Sequence, residues 1–175
     1  MTPTWILIAT VLAGGLALPA RAEVRQASGN GFELENSALV QAPADRVWEA
    51  MTAGIDHWWP KDHSWWGSES TLRLDARAGG CFCELAGERQ AQHLQVALVE
   101  PEQRLRLLGG LGPLQAMGLQ GVAEWTLEPQ GQATRVVWRY TVGGYSTTDL
   151  TALAAVVDRV QAQQLDGLVR WAGTR

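Results

Sequence analysis

Basic residues are scarce in this chain of 175 residues. Lys61 is its only lysine, no run of basic residues occurs, and the formal net charge is −4 at pH 7. Proteins that bind nucleic acid or an anionic membrane surface group lysine and arginine on one face to neutralise phosphate. The composition therefore argues against nucleic acid as a partner and against binding driven by phosphate.

Several familiar catalytic patterns are also missing. The sequence contains no Ser/His/Asp order, no phosphate-binding glycine loop in front of a helix and no Rossmann fingerprint. The run Gly109-Gly110-x-Gly112 does not qualify, because Pro113 and apolar residues follow where a helix would have to begin. The sequence thus predicts neither a triad hydrolase nor a nucleotide-binding protein.

Metal-ligand spacing is absent as well. Asp56, His57, Asp62 and His63 are close together in the sequence, but their spacing is not a recognised ligand pattern. On a tryptophan-rich loop, protonatable residues more often cap or solvate a surface. We therefore predict no metal and no other cofactor.

What the sequence does contain predicts one globular domain. Hydrophobic residues make up 46% and charged residues 18%, and nothing resembles a linker or an internal repeat. Nine tryptophans accompany only two tyrosines and two phenylalanines, which is an unusual ratio. A chain of this length can bury a sizeable core.

The first 22 residues, Met1–Ala22, are predicted to be a signal peptide. Trp5–Leu18 is apolar, and Ala20-Arg21-Ala22 is a small-x-small site where a signal peptidase would cut before Glu23. The apolar run is too short to span a bilayer comfortably. Cleavage would leave a periplasmic or secreted domain of residues 23–175 with no stable membrane insertion. An uncleaved anchor is the competing interpretation, because no lysine or arginine precedes the apolar run.

Hydrophobic periodicity predicts an α+β domain. A short helix with apolar Ala44, Val47, Trp48 and Met51 is expected to end near Gly54, and a long helix is expected over Asp149–Trp171 with Thr148 as N-cap. Period-two alternation predicts one early strand and a six-stranded meander. The predicted strands are Phe32–Gln41, Thr71–Arg77, Cys81–Ala86, Gln92–Val99, Arg104–Leu108, Val122–Glu128 and Arg135–Val142.

The segment Gly109–Gly121 interrupts the meander. It holds five glycines, a proline and the apolar side chains of Leu111, Leu114, Met117 and Leu119. An exposed apolar loop usually covers something. We expect this loop, together with indoles of the Asp56–Ser68 segment, to form an apolar gate over one end of the sheet. At least two of the four indoles in that segment are expected to pack as ordinary core.

Five short motifs follow one another along the chain: Pro43–Met51 with Trp48, Trp58-Trp59-Pro60, Arg77-Ala78-Gly79-Gly80 with Phe82, Glu100-Pro101-x-x-Arg104-Leu105, and Ala123-x-Trp125-x-Leu127-x-Pro129. In this order they resemble the START-like, or SRPBCC, superfamily, which includes polyketide cyclase/dehydrase-like proteins and homologues of a chaperone-ATPase activator. The resemblance implies a helix-grip fold, in which a curved antiparallel sheet wraps around a long C-terminal helix and encloses a cavity for apolar or amphipathic molecules.

Cys81 and Cys83 flank Phe82 on a predicted strand, so both thiols point to one face. At about 3.3 Å per residue their Cα atoms would be roughly 6.6 Å apart, near the upper limit for a disulfide. A bonded pair, two free thiols, and a redox or metal role all remain open.

The turn before Cys81 decides which residues of that strand face the cavity. If Ala78-Gly79 forms a two-residue turn, Ala76 opposes Cys81 and the thiols point inward. If Ala78-Gly79-Gly80 forms a three-residue turn, Ala76 opposes Phe82, Leu74 opposes Glu84, and Phe82 and Glu84 point inward. The START-like pattern favours the second alternative.

Under that register Glu84 is the one acid/base candidate. Desolvation in an apolar chamber should raise its pKa and fit it for proton transfer or for binding a polar head. The competing interpretation is a solvated strand residue near Gly87. His93, with Leu94 and Val96 opposing it, is expected to be a surface or pocket-edge histidine without a special task.

These observations predict an exported protein that binds a small hydrophobic or amphipathic molecule between the sheet and the C-terminal helix. The alternative is a polyketide cyclase/dehydrase-like enzyme that uses Glu84 in the same cavity, so catalysis stays open. A protein-interaction module, the third hypothesis, fits export poorly because a cytosolic chaperone would never meet it. The predicted ligand-binding residues are Trp58, Trp59, Phe82, Glu84, Leu114, Met117, Trp125, Trp138, Tyr140, Leu153 and Val157.

Overall fold

The structure is a computed structural model that describes residues 21–174. The predicted leader, Met1–Ala22, lies outside the described residues except for the backbone of its last two. The signal peptide, its cleavage and export therefore stay predictions. Within the described range, no helix has the length and apolar character needed to cross a membrane.

Eight antiparallel strands form one curved sheet, and a long helix follows them. The strands are β1 (Arg21–Ser28), β2 (Gly31–Val40), β3 (Thr71–Leu74), β4 (Cys81–Ala86), β5 (Arg89–Glu100), β6 (Arg104–Leu108), β7 (Leu119–Gln130) and β8 (Ala133–Gly144). The helices are α1 (Ala44–Met51), α2 (Ile55–Trp58) and α3 (Leu150–Ala172). The strand order is β1-β2-β8-β7-β6-β5-β4-β3, and α3 packs on β1, β2, α1 and α2. The predicted α+β helix-grip architecture is confirmed.

One strand, β1, was not predicted. Its sequence, RAEVRQAS, has only one large apolar residue, Val24, and that side chain is 37% exposed. The strand lies at the edge of the sheet and pairs with β2 alone. Because an edge strand need not present an alternating apolar face, hydrophobic periodicity did not reveal it. The predicted cleavage point before Glu23 falls inside this strand.

The long helix begins one residue later than expected and has a different cap. Asp149, not Thr148, is the N-cap, because its Oδ1 accepts hydrogen bonds from the N–H groups of Thr151 at 2.9 Å and Ala152 at 3.2 Å. A carboxylate at this position also meets the positive end of the helix dipole. Leu150, Leu165 and Leu168 are almost fully buried against the sheet and the early helices.

Period-two alternation predicts a shared apolar face for the last two strands, and the structure confirms this prediction. Trp125 and Trp138 meet edge to face with ring centroids 5.1 Å apart, and Trp59 lies 6.2 Å from Trp138 and 5.0 Å from Phe82. This aromatic cluster fills the centre of the sheet, so at least two indoles of the tryptophan-rich segment, Trp58 and Trp59, are core residues, as predicted. The buried residues on this face are Ala123, Trp125, Leu127, Val136, Trp138, Tyr140 and Val142.

The turn between β3 and β4 is longer than either predicted alternative. Residues 75–80 connect the strands, and Leu74 pairs with Phe82 while Leu72 pairs with Glu84. Both predicted sets of strand partners are therefore wrong. The connection is long because it reaches across to β5, where Gly79 N–H donates to the Val96 carbonyl at 2.8 Å and Val96 N–H donates to the Gly80 carbonyl at 2.8 Å.

The inward direction of Phe82 and Glu84 is nevertheless confirmed. The observed pairing differs from the three-residue alternative by two residues, and a shift of two keeps every side chain on the same face. Phe82 is 2% exposed and Glu84 is completely buried. Cys81 and Cys83 occupy the opposite, half-buried face and are joined by a disulfide, with Cα atoms 5.4 Å apart.

Candidate functional site

A cavity of about 440 Å³ lies between α3, the segment after α2 and the loop that joins β6 to β7. The α3 wall consists of Leu153, Val156, Val157, Val160, Gln161 and Gln164. These positions recur at helical spacing, so one stripe of the helix faces the space. The stripe is apolar at its N-terminal end and changes to glutamine towards its C-terminal end.

The β6–β7 loop forms the second wall, and the expectation that it covers something is confirmed. Leu111, Leu114 and Met117 line the cavity. Tyr140 anchors the loop, because its hydroxyl accepts from Leu111 N–H at 2.8 Å and donates to the Gly109 carbonyl at 3.0 Å. Burial raises the pKa of Tyr140 to about 12, so this hydroxyl keeps its proton at neutral pH.

A second anchor ties the same loop to β5. The side-chain Nε2 of Gln115 donates to the carbonyls of Gln92 at 2.5 Å and His93 at 3.2 Å. Backbone carbonyls of β5 are available there because β6 ends at Leu108 and leaves the start of β5 without a strand on that side. The loop is therefore attached at two points, at the start of its apolar stretch and within it.

The third wall comes from the tryptophan-rich segment. Trp59 is buried and lines the cavity, whereas Trp65 lines it and is 46% exposed. Val156 of α3 is also 46% exposed, so Trp65 and Val156 mark the mouth. Trp66 lies outside the lining, with the guanidinium of Arg89 over its ring at 5.3 Å.

The structure brings some of the predicted ligand-binding residues together and separates others. Those that line the cavity are Trp59, Leu114, Met117, Leu153 and Val157. The others lie deeper in the core, outside the lining: Trp58, Phe82, Glu84, Trp125, Trp138 and Tyr140.

Glu84 is a fully buried carboxylate surrounded by hydrogen-bond donors. Its Oε1 accepts from Trp65 N–H at 2.8 Å, Trp66 N–H at 3.2 Å and the Ser70 hydroxyl at 2.5 Å. Its Oε2 lies 2.8 Å from Nε2 of His93. The competing interpretation of a solvated strand residue is wrong.

The expected rise in the pKa of Glu84 is also wrong. Burial does act to raise it, but the hydrogen bonds from Ser70, the Trp65 amide, His93 and the Trp66 amide outweigh burial and hold the pKa of Glu84 below its usual value. Glu84 is therefore an ionised carboxylate at neutral pH.

His93 is a buried partner of that carboxylate, so the expected surface position is wrong, whereas the alternative of a histidine at the pocket edge is confirmed. The pairing of β4 with β5 slips between Phe82 and Cys83: Phe82 pairs with Leu94 and Cys83 with Gln92. His93 is the extra residue of this bulge, so it points inward beside Leu94 instead of opposing it. It is 6% exposed and lines the cavity. Burial lowers the pKa of His93, and the attraction of Glu84 only partly offsets this.

Unpaired buried polar atoms are concentrated around the cavity. Within residues 21–174, eight buried side-chain nitrogen or oxygen atoms have no hydrogen-bond partner, and five of them belong to cavity residues. Leaving such an atom unpaired costs about 1–3 kcal/mol. We refer to these five as the open polar atoms: Nδ1 of His63, Nδ1 of His93, Nε2 and Oε1 of Gln161, and Oε1 of Gln164.

The helical spacing of α3 predicts that Gln161 and Gln164 share a stripe with Leu165 and Leu168, but it assigns the two glutamines no role. Both are buried, with exposures of 0% and 2%. Two amides in an otherwise apolar stripe were the available signal, since buried polar side chains normally have partners. No comparable signal existed for His93, because a bulge cannot be read from alternation.

The four residues considered as metal ligands have other surroundings. Asp56 accepts from Lys61 at 2.5 Å and from Leu72 N–H at 2.7 Å, and His57 stacks on Trp171 with ring centroids 5.2 Å apart. Asp62 and His63 line the cavity. In the described part of the chain, no group of three or more His, Cys, Asp or Glu side chains is arranged to hold a metal ion.

A family model described as "Polyketide cyclase / dehydrase and lipid transport" matches residues 31–173. The match spans every element from β2 to α3 and therefore includes all three cavity walls. No curated protein matches the sequence.

Solved structures of the same fold are similar over most of the chain. A protein from Rhizobium leguminosarum has a TM-score of 0.60 at 18% identity, covering 90% of this chain and 100% of its own. Protein MLL2253 from Mesorhizobium loti has a TM-score of 0.58 at 18% identity, covering 79% and 94%. CalU16 from Micromonospora echinospora has a TM-score of 0.55 at 18% identity, covering 87% and 81%. At these identities the likeness concerns the fold alone.

Proposed function

Since the chain belongs to the polyketide cyclase / dehydrase and lipid transport family of the SRPBCC superfamily, we propose that it binds one small amphipathic molecule in the cavity beside α3. The apolar part of the ligand lies against the valines and leucines of α3 and the β6–β7 loop. Its polar part meets the glutamines and histidines at the inner end.

The open polar atoms carry this proposal. Five buried, unpaired atoms of the described chain surround a single space whose other walls are mostly apolar. Protein interiors rarely leave such atoms unpaired, and ligand sites typically combine an apolar lining with a few convergent polar groups. A bound amphipathic molecule would satisfy both features at once.

The size of the cavity supports a single guest. About 440 Å³ lies in the range of roughly 300–1,000 Å³ found for sites of small molecules. The exposed Trp65 and Val156 at the mouth provide an apolar entrance for a molecule arriving from solvent or from another carrier.

We also propose that the protein acts after export, in the periplasm or outside the cell. The predicted signal peptide is one support. The disulfide between Cys81 and Cys83 is a second, independent support, because structural disulfides persist mainly in oxidising compartments. Fractionation of cells with N-terminal sequencing of the protein tests this; a cytosolic chain that retains Met1–Ala22 would contradict it.

Direct binding is tested by native mass spectrometry and thermal shift with lipids, isoprenoids and aromatic polyketides. Val157→Phe fills the cavity from α3 and is expected to abolish binding. Ala155→Phe is the matched control, because Ala155 lies on the same helix, is exposed and is outside the lining. Equal binding by both variants, or no binding by the parent, would count against the proposal.

A second candidate is a cyclase- or dehydrase-like reaction in the same cavity. The observation that favours it is the pair of His93 with the ionised Glu84 at the cavity wall. Because Glu84 lies outside the lining, His93 would meet the substrate and Glu84 would act through it. Mass spectrometry of bound ligands after incubation distinguishes the candidates: a carrier returns its ligand unchanged.

A further inference from the structure

We propose that Nδ1 of His93 accepts a hydrogen bond from the ligand, and that this site selects neutral molecules carrying a hydroxyl group, with Glu84 as the positioning residue. The inference rests on the proposed function and names the ligand class of the same cavity.

Glu84 fixes which ring nitrogen of His93 carries the proton. An ionised carboxylate only accepts hydrogen bonds, so each of its neighbours must donate. The amides of Trp65 and Trp66 always donate, and Ser70 donates at 2.5 Å. At the other oxygen, Nε2 of His93 at 2.8 Å must therefore carry a hydrogen.

This arrangement makes Nδ1 a hydrogen-bond acceptor. The ring is neutral at pH 7, because burial disfavours its charged form, and a neutral imidazole has one N–H and one lone pair. Nδ1 is one of the open polar atoms, and the ring forms part of the cavity wall. The ligand atom that completes the site must therefore be a donor.

Charge narrows the ligand class further. Among the described residues that line the cavity, none is lysine or arginine, and Asp62 is acidic. A carboxylate or phosphate head would enter this space without a lysine or arginine partner, which is costly in an apolar surrounding. A hydroxyl group fits better, since it can donate to His93 and accept from Nε2 of Gln161.

Three naphthalene derivatives that differ only in their polar group test whether Nδ1 of His93 accepts a hydrogen bond from the ligand. Isothermal titration with 2-naphthol and with 2-methoxynaphthalene compares an O–H donor with its methyl ether, and 2-naphthoate adds a negative charge. The preference for 2-naphthol over the ether is expected to be about tenfold larger in the parent than in His93→Phe. His57→Phe, at a histidine outside the cavity, should keep the parent's preference.

Glu84→Gln tests the positioning role without removing a side chain. Two backbone amides still require an acceptor at their side, so the new carbonyl oxygen faces Trp65 and Trp66 and the new NH2 group faces His93. Nε2 must then accept, and the proton moves to Nδ1. Nitrogen-15 NMR should show Nε2–H in the parent and Nδ1–H in Glu84→Gln, together with loss of the naphthol preference. Glu124→Gln on the outer face of β7 is the control.

The outcomes separate the inference from the proposed function. Binding of both naphthyl probes with an equal preference in the parent and His93→Phe would overturn the inference and leave the cavity as a binding site. Binding of 2-naphthoate more tightly than 2-naphthol by the parent would also overturn the inference and leave the cavity as a binding site. An Nδ1–H signal in the parent at pH 7 would overturn the inference without any variant. If the library and all three probes fail to bind the parent, the proposed function is wrong and the inference falls with it.

Discussion

Two sets of buried polar side chains, one on β4 and β5 and the other on α3, differ in how they are paired. On β4 and β5, each oxygen of Glu84 has at least one hydrogen-bond partner. On α3, both amide atoms of Gln161 and Oε1 of Gln164 lack a partner within the described chain. The first set is completed by the protein itself, so it serves stability. The second set lacks partners within the described chain, and under the proposed function a bound ligand supplies them.

His93 joins the two sets. Its Nε2 belongs to the paired set, through Glu84, and its Nδ1 belongs to the open polar atoms. The same kind of substitution, polar to apolar, should therefore have opposite effects on the free energy of unfolding on the two sides.

The largest effect is expected from Glu84→Leu. The change leaves the four groups that donate to Glu84 without an acceptor around a buried apolar side chain. Breaking a buried charged network of this kind costs about 3–5 kcal/mol. Urea unfolding of the parent and the variant measures the loss. Glu84→Gln, which retains most of the hydrogen bonds, should lose much less. A loss below about 1 kcal/mol for Glu84→Leu would show that the network does not contribute as its geometry implies.

Gln161→Met should have the opposite sign. Methionine is similar in length and removes two unpaired polar atoms from a side chain with 0% exposure. The ligand-free protein is expected to gain about 1–2 kcal/mol of unfolding free energy, because the desolvation cost of the amide disappears. The same variant should bind 2-naphthol more weakly. Gln163→Met, at an exposed position of α3, is the control and should change neither quantity.

The contrast between the two sets also shows where sequence reasoning succeeds. Alternating Trp125, Leu127, Trp138 and Tyr140 identified the buried face of β7 and β8, because burial on one face of a regular strand imposes period two. The helical stripe of α3 likewise followed from its spacing. Both depend only on regular geometry.

The positions of the site residues, in contrast, depend on departures from regular strand geometry. His93 points inward because of a bulge, and the pairing of Leu74 with Phe82 follows from a turn that reaches over to Val96. Neither contact leaves a local pattern in the sequence. Predicting the raised pKa of Glu84 failed for the same reason: burial was foreseeable from the strand, but the donors come from Trp65, Trp66 and Ser70, 14 to 19 residues away.

Acid should weaken the fold through the paired set. The pKa of His93 is lower in the folded protein than its ordinary value of 6.5, and the pKa of Glu84 is lower than 4.5. In both cases the unfolded chain binds protons first, so stability falls as pH falls below 6.5 for His93 and below 4.5 for Glu84. Asp158 acts in the opposite direction, since burial raises its pKa.

Urea unfolding of the parent and its variants at pH 7.5 and pH 5.5 measures the contribution of His93 to the pH dependence of the free energy of unfolding. The parent is expected to be less stable at pH 5.5 than at pH 7.5, because burial lowers the pKa of His93 in the folded protein and the unfolded chain binds the proton more readily. His93→Phe should lose less, whereas His57→Phe should behave like the parent. A larger loss in His93→Phe than in the parent would mean that the folded state favours the charged ring, in which case Nδ1 would carry a hydrogen and could not accept a hydrogen bond.

The smallest effect concerns the loop that separates the open polar atoms from solvent. Gln115→Ala removes the donor that ties this loop to the carbonyls of Gln92 and His93. Because the contact is at the surface, stability should fall by less than about 1 kcal/mol. Tyr140 still holds the start of the loop through Gly109 and Leu111. The cavity should therefore keep its shape, and the affinity for 2-naphthol should change little. The β6–β7 loop should open more easily, so stopped-flow displacement should show that 2-naphthol is both released and taken up faster than in the parent. Equal rates in the variant and the parent would mean that the ligand enters past Trp65 and Val156 without movement of the loop.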